Sequence, residues 1–225
     1  MKKWLLPMVL MSGLTLTISA CSPSDEPGKT DIPTPTPDPE PNPNPDNPNP
    51  QPGGNNRALV VYFSCTNTTK GIADRIASVT GSKTYRIEPE VPYTSADLDY
   101  NSSSSRANRE QSDPSARPAI AGTPEDLSNY DVIFLGYPIW HGKAPKIIFT
   151  FLESNDLAGK TIVPFCTSHS SGLGSSDTDL HSSASQAEWK RGRRFSGSES
   201  EATLKDWIEG MELNLNGNGD ISSFN

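Results

Sequence analysis

Residues 58–80 read as strand, short polar loop and helix, and no other stretch constrains the fold of this chain as strongly. Ala58-Leu59-Val60-Val61-Tyr62-Phe63 is a continuous apolar run of strand length, rich in Val and Tyr, which suits a strand buried on both faces. Ser64-Cys65-Thr66-Asn67-Thr68-Thr69 follows, a loop crowded with hydroxyls. Ile72, Ala73, Ile76 and Val79 then recur at helical spacing, and Gly81 stands where a glycine commonly stops a helix. The first amides of a helix lack intrahelical partners, and the macrodipole adds roughly half a positive charge there, so this geometry favours an anion. Hydroxyls of Ser64, Thr66, Thr68 and Thr69 complete a neutral cradle suited to a phosphate. An N-capped helix after a buried strand is the plainer reading of the same residues.

Tyr62-Phe63-Ser64-x-Thr66-x-x-Thr69 resembles the flavodoxin phosphate loop, whose usual form is Ser-x-Thr-Gly-Asn-Thr after the first strand. Asn67 stands where that family has Gly, and Thr68 where it has Asn. Asn tolerates left-handed dihedrals better than most residues, which keeps the turn available. A second block, Leu135-Gly136-Tyr137-Pro138-Ile139-Trp140-His141-Gly142 with a helix opened by Pro145, is similar to a flavodoxin-like subfamily. The resemblance implies that Pro138, Ile139, Trp140, His141 and Gly142 lie against the isoalloxazine ring of FMN, with Trp140 stacked on it and a backbone amide near N5. A planar apolar ring favours an aromatic face, and its redox nitrogens favour backbone partners. Relatives commonly have Trp-Trp-Gly here. His141 is either a surface residue or a group that tunes a reduced flavin; an ordinary, partly exposed aromatic is the alternative for Trp140. The third block, from Thr167 through Ser168, His169, Ser170, Ser171 and Gly172 to Gly174, stands where the family has a glycine-rich Thr-Ser-Gly-Gly-Ser-Gly turn whose bare backbone lets flavin approach. His169 and Ser170 occupy two of those glycine positions, so side chains there are expected to narrow the pocket.

The remaining pattern alternates strands with helices. A second strand is expected over 83–90, ending at Pro89; a short helix over 104–111; and a brief helix opened by Thr123-Pro124-Glu125. The third strand is expected over 131–135 with a loop over 136–142, the fourth strand over 160–166, a helix over 177–186 and the fifth strand over 189–195. Ser198 and Glu201 form a capping box for a last helix with Leu204, Trp207, Ile208 and Met211 as its apolar stripe. Such alternation predicts an α/β fold with a parallel sheet. The resemblance, over nearly all of residues 57–208, implies a five-stranded doubly wound sheet of order 2-1-3-4-5 with helices on both faces, the arrangement for which flavodoxin itself is the standard example of FMN at a switch point. Arg106, Arg109 and Arg117 read as solvated or locally paired, the alternative being a substrate clamp. Lys190, Arg191, Arg193 and Arg194 read as a charge-protected edge strand, the alternative being a contact for an acidic partner or a nucleotide phosphate.

Before this domain, Lys2 and Lys3 precede an apolar run from Trp4 to about Leu16, then Ile18-Ser19-Ala20-Cys21, a pattern expected of a secretory signal over residues 1–20. The small residues ending at a Cys resemble the bacterial lipobox, which implies cleavage before Cys21 and its lipidation; a secreted protein with a stray Cys is the alternative. Ser24-Asp25-Glu26 resembles the surface-export tags of some Gram-negative lipoproteins. Residues 31–51 are nearly half proline, cannot form a core, and at ~3.1 Å per residue make a polyproline-like tether within the segment 21–56, on the order of 60 Å long. Residues 57–225 are expected to form the single folded domain. A cell-envelope location, in the outer membrane facing the periplasm or the surface, is expected.

The formal charge of −8 becomes −10 without Lys2 and Lys3, and half of that lies in the tether, which leaves the domain near −5 and argues against nucleic acid as a partner. Cys65 and Cys166 follow strands separated by a third, so two free thiols are expected. No CxxC, HExxH or paired His spacing points to a metal, and no residue is placed as acid, base or nucleophile. The resulting expectation is an FMN-binding, membrane-tethered electron carrier or oxidoreductase, with a reduced nicotinamide as candidate donor and a quinone as candidate acceptor. A flavin-free relative serving as a surface binding module is the second expectation, motivated by Asn67, Thr68, His169 and Ser170.

Overall fold

A computed structural model of the protein describes residues 57–213 and 215. The signal, Cys21 and the tether, with the end of the chain, lie outside the described residues. Strands β1 (Ala58–Tyr62), β2 (Lys83–Arg86), β3 (Val132–Pro138), β4 (Thr161–Thr167), β5 (Glu188–Trp189) and β6 (Arg193–Phe195) form one sheet of order β2-β1-β3-β4-β5, with β6 also on β4. Every strand pairing is parallel. The expected 2-1-3-4-5 order is therefore present.

Alternation along the central strands divides the core between two faces. Leu59, Val61, Ile133 and Leu135 pack with Ile147, Ile148 and Phe151 of α3 (Lys146–Glu153). Ala58, Val60, Phe134 and Phe165 pack instead with Ile72 and Ile76 of α1 (Thr68–Thr80) and with Leu204 and Ile208 of α4 (Glu201–Glu209). Both faces of β1, β3 and β4 are thus covered, which is why those strands read as unbroken apolar runs. Gly81 ends α1 in the left-handed region, φ 65°, as its position in the sequence predicts.

Several boundaries differ from expectation. β3 runs on through Pro138, because Gly136, Tyr137 and Pro138 continue the ladder to Phe165, Cys166 and Thr167. Gly136 makes this possible: a Cβ there would meet the Phe165 ring at 2.2 Å. The fifth strand is two pieces, not one. Lys160 and Ile162 accept from the amides of Glu188 and Lys190, so Pro164, two residues on, faces the same edge. It has no N–H, and the ladder breaks opposite it between β5 and β6. The segment expected as a helix over 177–186 is a 3-10 helix, Thr178–Ala184. The turn after Thr123-Pro124 starts later, at Leu127–Asn129. Ser200, not Ser198, caps α4, its hydroxyl accepting from the Thr203 amide at 3.3 Å. The carboxylate of Glu199 takes the amides of Ser196 and Gly197 at 2.6 and 2.9 Å, which holds the chain in a turn until Ser200.

Between β2 and β3 the chain makes a long excursion that includes α2 (Arg106–Ser112), within one residue or two of its expected position. The arginines here are locally paired. Arg106 bonds Glu110 at 2.6 Å and lies over the Tyr93 ring; Arg117 forks onto Glu153 at 2.7 and 2.9 Å. Asn108 Nδ2 donates to the carbonyls of Tyr100 and Ser102, tying the excursion to α2.

Candidate functional site

In a parallel sheet all strands end on one edge, so the loops after β1, β3 and β4 meet there. Register sets their heights: Tyr62 pairs with Gly136, and Pro138 with Thr167. A cavity of about 400 Å³ opens between them. The first loop lines it with Ser64, Cys65, Thr66, Thr68 and Thr69, the second with Pro138, Ile139 and Trp140, and the third with Thr167, Ser168 and His169. Ten of the fourteen cofactor-site residues expected from sequence therefore converge on one cavity. Asn67, His141, Gly142 and Gly172 are not among its lining residues.

The first loop ends on Asn67, φ 62° and ψ 1°, in the left-handed region. Asn thus takes the backbone conformation for which glycine is the usual choice. Its side chain makes no cap hydrogen bond, and the Gly71 amide is the first to bond back, to the Asn67 carbonyl at 2.9 Å. The amides of Thr68, Thr69 and Lys70 are left to an external acceptor. Ser64 is 2 % exposed, and Thr66 and Thr68 hydroxyls lie 3.4 Å apart at the surface. Thr69 differs from the others. Its hydroxyl is buried and bonds that of Thr167 at 2.8 Å, which locks the first loop to the third. Two hydroxyls sharing one bond leave one hydrogen over for a further acceptor.

The second loop turns tightly. Trp140 and Lys143 exchange both backbone bonds, at 2.9 and 3.0 Å, around His141 (φ 49°) and Gly142 (φ 76°). Positive φ at both centres is the type I′ arrangement. Trp140 is buried rather than partly exposed, 6 % accessible, and meets Phe63 and Tyr93 edge-on at 5.5 and 5.3 Å. Gln111 Nε2 donates to its carbonyl at 2.8 Å. The third loop is held from below by Arg194 of β6, which donates to the carbonyls of Ser168 and His169 and to the Ser168 hydroxyl. His169 is exposed and lines the cavity.

Leu98, Tyr100 and Ala107 of the excursion, and Ser196 after β6, also line the cavity. Sequence reasoning missed them because their placement depends on how a polar, aperiodic segment folds back over the sheet. Among the described residues no Lys or Arg lines the cavity. Burial pushes the Cys65 thiol up to about 11 against the opposing pull of Arg86, so it is protonated near neutrality. Cys65 and Cys166 are both free, as the strand order predicts. The arrangement can bind: amides and hydroxyls at one end, Leu98, Ile139, Trp140 and Tyr100 at the other. It presents no nucleophile with a paired base. No group of metal-ligating side chains occurs among the described residues.

A family model described as flavodoxin matches residues 57–211. A candidate flavoprotein from Bacteroides eggerthii DSM 20697 is 43 % identical, with a TM-score of 0.67, over 70 % of this chain and 98 % of that one. A second, from Bacteroides uniformis ATCC 8492, is 41 % identical with a TM-score of 0.65, over 70 % and 99 %. A flavoprotein from Lactobacillus acidophilus NCFM, solved in complex with FMN, shares the fold at 21 % identity and a TM-score of 0.54, over 68 % and 99 %. No protein of curated function matches the chain. The matched family, the sheet order and the three converging loops agree, and the chain belongs to the flavodoxin family.

Proposed function

We propose that the domain binds FMN in the cavity above β1, β3 and β4 and serves as an electron carrier or oxidoreductase held at the cell envelope by a lipid on Cys21. The observation that carries this reading is the first loop. Asn67 adopts a left-handed turn without capping the helix, so the amides of Thr68, Thr69 and Lys70 and the hydroxyls around them remain for a phosphate. The apolar end of the same cavity, with Ile139, Trp140, Leu98 and Ala107, suits a planar ring. The donor set and the cavity therefore fit FMN, and the Lactobacillus relative solved with FMN supports the same cofactor.

FMN, when bound, supplies one- or two-electron transfer, and the chain's own residues position it and limit water around it. Thr69 and Thr167 fix the spacing of the phosphate loop and the third loop, and Arg194 holds that third loop down. Burial keeps the Cys65 thiol neutral, so it adds no charge beside the ring. A reduced nicotinamide as donor and a quinone as acceptor are the partner classes this reading favours. Ile18-Ser19-Ala20-Cys21 and the proline-rich segment support the tether, which would hold the domain on the order of 60 Å from a membrane.

The test is the visible spectrum of protein purified with flavin supplied. Flavin absorbance at about one FMN per chain, released on heating, is expected. A colourless protein that takes up no FMN at tens of micromolar ligand would overturn the reading. Metabolic labelling with a fatty-acid analogue, lost in Cys21→Ser, tests the anchor separately.

A further inference from the structure

Among the described residues two large apolar side chains stand exposed, Val91 at 65 % and Tyr100 at 52 %. Tyr100 lines the cavity. It is also held. Its hydroxyl donates to the Ile139 carbonyl at 3.3 Å, its own carbonyl accepts from Asn108 at 3.2 Å, and the His141 imidazole packs on its ring at 4.5 Å and 35°. An exposed ring fixed at both ends is a preformed face that loses little further freedom when a ligand lies on it. Trp140 offers no comparable face, since it is buried edge-on between Phe63 and Tyr93.

We propose that Tyr100, carried on the excursion between β2 and β3, is the aromatic face against which the flavin ring lies, with Trp140 as the core support beneath the second loop. The inference rests on the FMN reading above and adds the residue that positions the ring. It also gives His141 a role. The type I′ turn at His141-Gly142 brings the imidazole onto the Tyr100 ring, so His141 backs the platform rather than lining the cavity. Leu98 and Ala107 of the same excursion also line the cavity, so the excursion shares the ring end with Ile139 and Trp140 while the phosphate end belongs to β1 and α1.

The experiment is a titration of apo-protein with FMN and, separately, with riboflavin, following both affinity and the emission of bound flavin. A stacked Tyr or Trp quenches that emission by donating an electron to the excited flavin, which Phe or a merely structural side chain does not. Tyr100→Ala should weaken both ligands about ten-fold, equivalent to ~1.4 kcal/mol, and restore emission of the bound fraction. Tyr100→Phe should stay within about two-fold in affinity, since it keeps the ring and loses only the bond to Ile139, while its emission recovers because Phe donates no electron to the excited flavin. Trp140→Phe should remain quenched. Tyr100 is half exposed, so its truncation opens no core cavity, and far-UV dichroism checks the fold. If the unaltered protein binds neither ligand, the FMN reading itself fails. If it binds FMN while Tyr100→Ala keeps both affinity and quenching, or if Trp140→Phe alone restores emission, the placement of the ring on Tyr100 is overturned.

Discussion

Replacing Thr69 by Val tests whether the hydroxyl pair joining the first and third loops works as one unit. Thr69 and Thr167 are 1 % and 3 % exposed, and their oxygens lie 2.8 Å apart. Val matches Thr in shape, so Thr69→Val removes the bond while leaving the Thr167 hydroxyl buried without its partner. That orphaned group costs about 1–3 kcal/mol. For a domain of this size, ~1 kcal/mol lowers Tm by roughly 2–4 °C, so Thr69→Val should melt about 2–12 °C early. Thr167→Val should behave alike for the same reason. In the double variant neither hydroxyl remains to be buried, and the loss should fall to about 1 kcal/mol or less. Urea denaturation of the apo-protein and its three variants gives the coupling directly. Additivity of the two single losses to within ~0.5 kcal/mol would refute the reasoning, because independent sites add and shared bonds do not.

Gly136→Ala places a Cβ 2.2–2.9 Å from three atoms of the fully buried Phe165 ring, so it should destabilise by about 1–3 kcal/mol or more, read as a shifted denaturation midpoint. Hydrogen bonds from Arg117, reinforced by Ser183, hold the Glu153 carboxyl below its usual range. A depressed folded pKa gives stability that is present above the unfolded value, roughly pH 4.3, and lost as pH falls through the folded value. Glu153→Gln should therefore lower stability at pH 7 but converge on the unaltered protein toward pH 3 in urea titrations; a gap constant with pH would contradict this. Cys65 lines the cavity and Cys166 is buried, with burial pushing that thiol up to about 12. FMN should accordingly slow alkylation of Cys65 at pH 9 and leave Cys166 unreactive in both states, as read by mass spectrometry of labelled peptides.

The sheet order and the three loops were legible because they follow from strong local signals. The runs at Ala58, Val132 and Ile162 are apolar on both faces, and such strands have nowhere to lie but the middle of a covered parallel sheet. Asn67 was legible too, since few other residues accept a left-handed turn where glycine is usual. What escaped reading depends on contacts distant in sequence. Pro164 divides β5 from β6 only because its nitrogen faces that edge of β4. Ser200 takes the cap because Glu199 is engaged with Ser196 and Gly197. Tyr100 entered the cavity wall through Asn108, Ile139 and His141, three partners that no local pattern announces. The same holds for Trp140: its spacing marks the loop, but its burial depends on Phe63 and on Tyr93 from the excursion.

Amide chemical shifts of the isotopically labelled apo-domain, followed as FMN is added, test the binding site most directly. The largest shifts should fall on Thr66, Thr68, Thr69 and Lys70, on residues 138–142 and on residues 167–169, with saturation near one equivalent. Shifts absent from those three loops, or concentrated at the separate hollow beside Leu152, Asn155 and Gln186, would contradict the account.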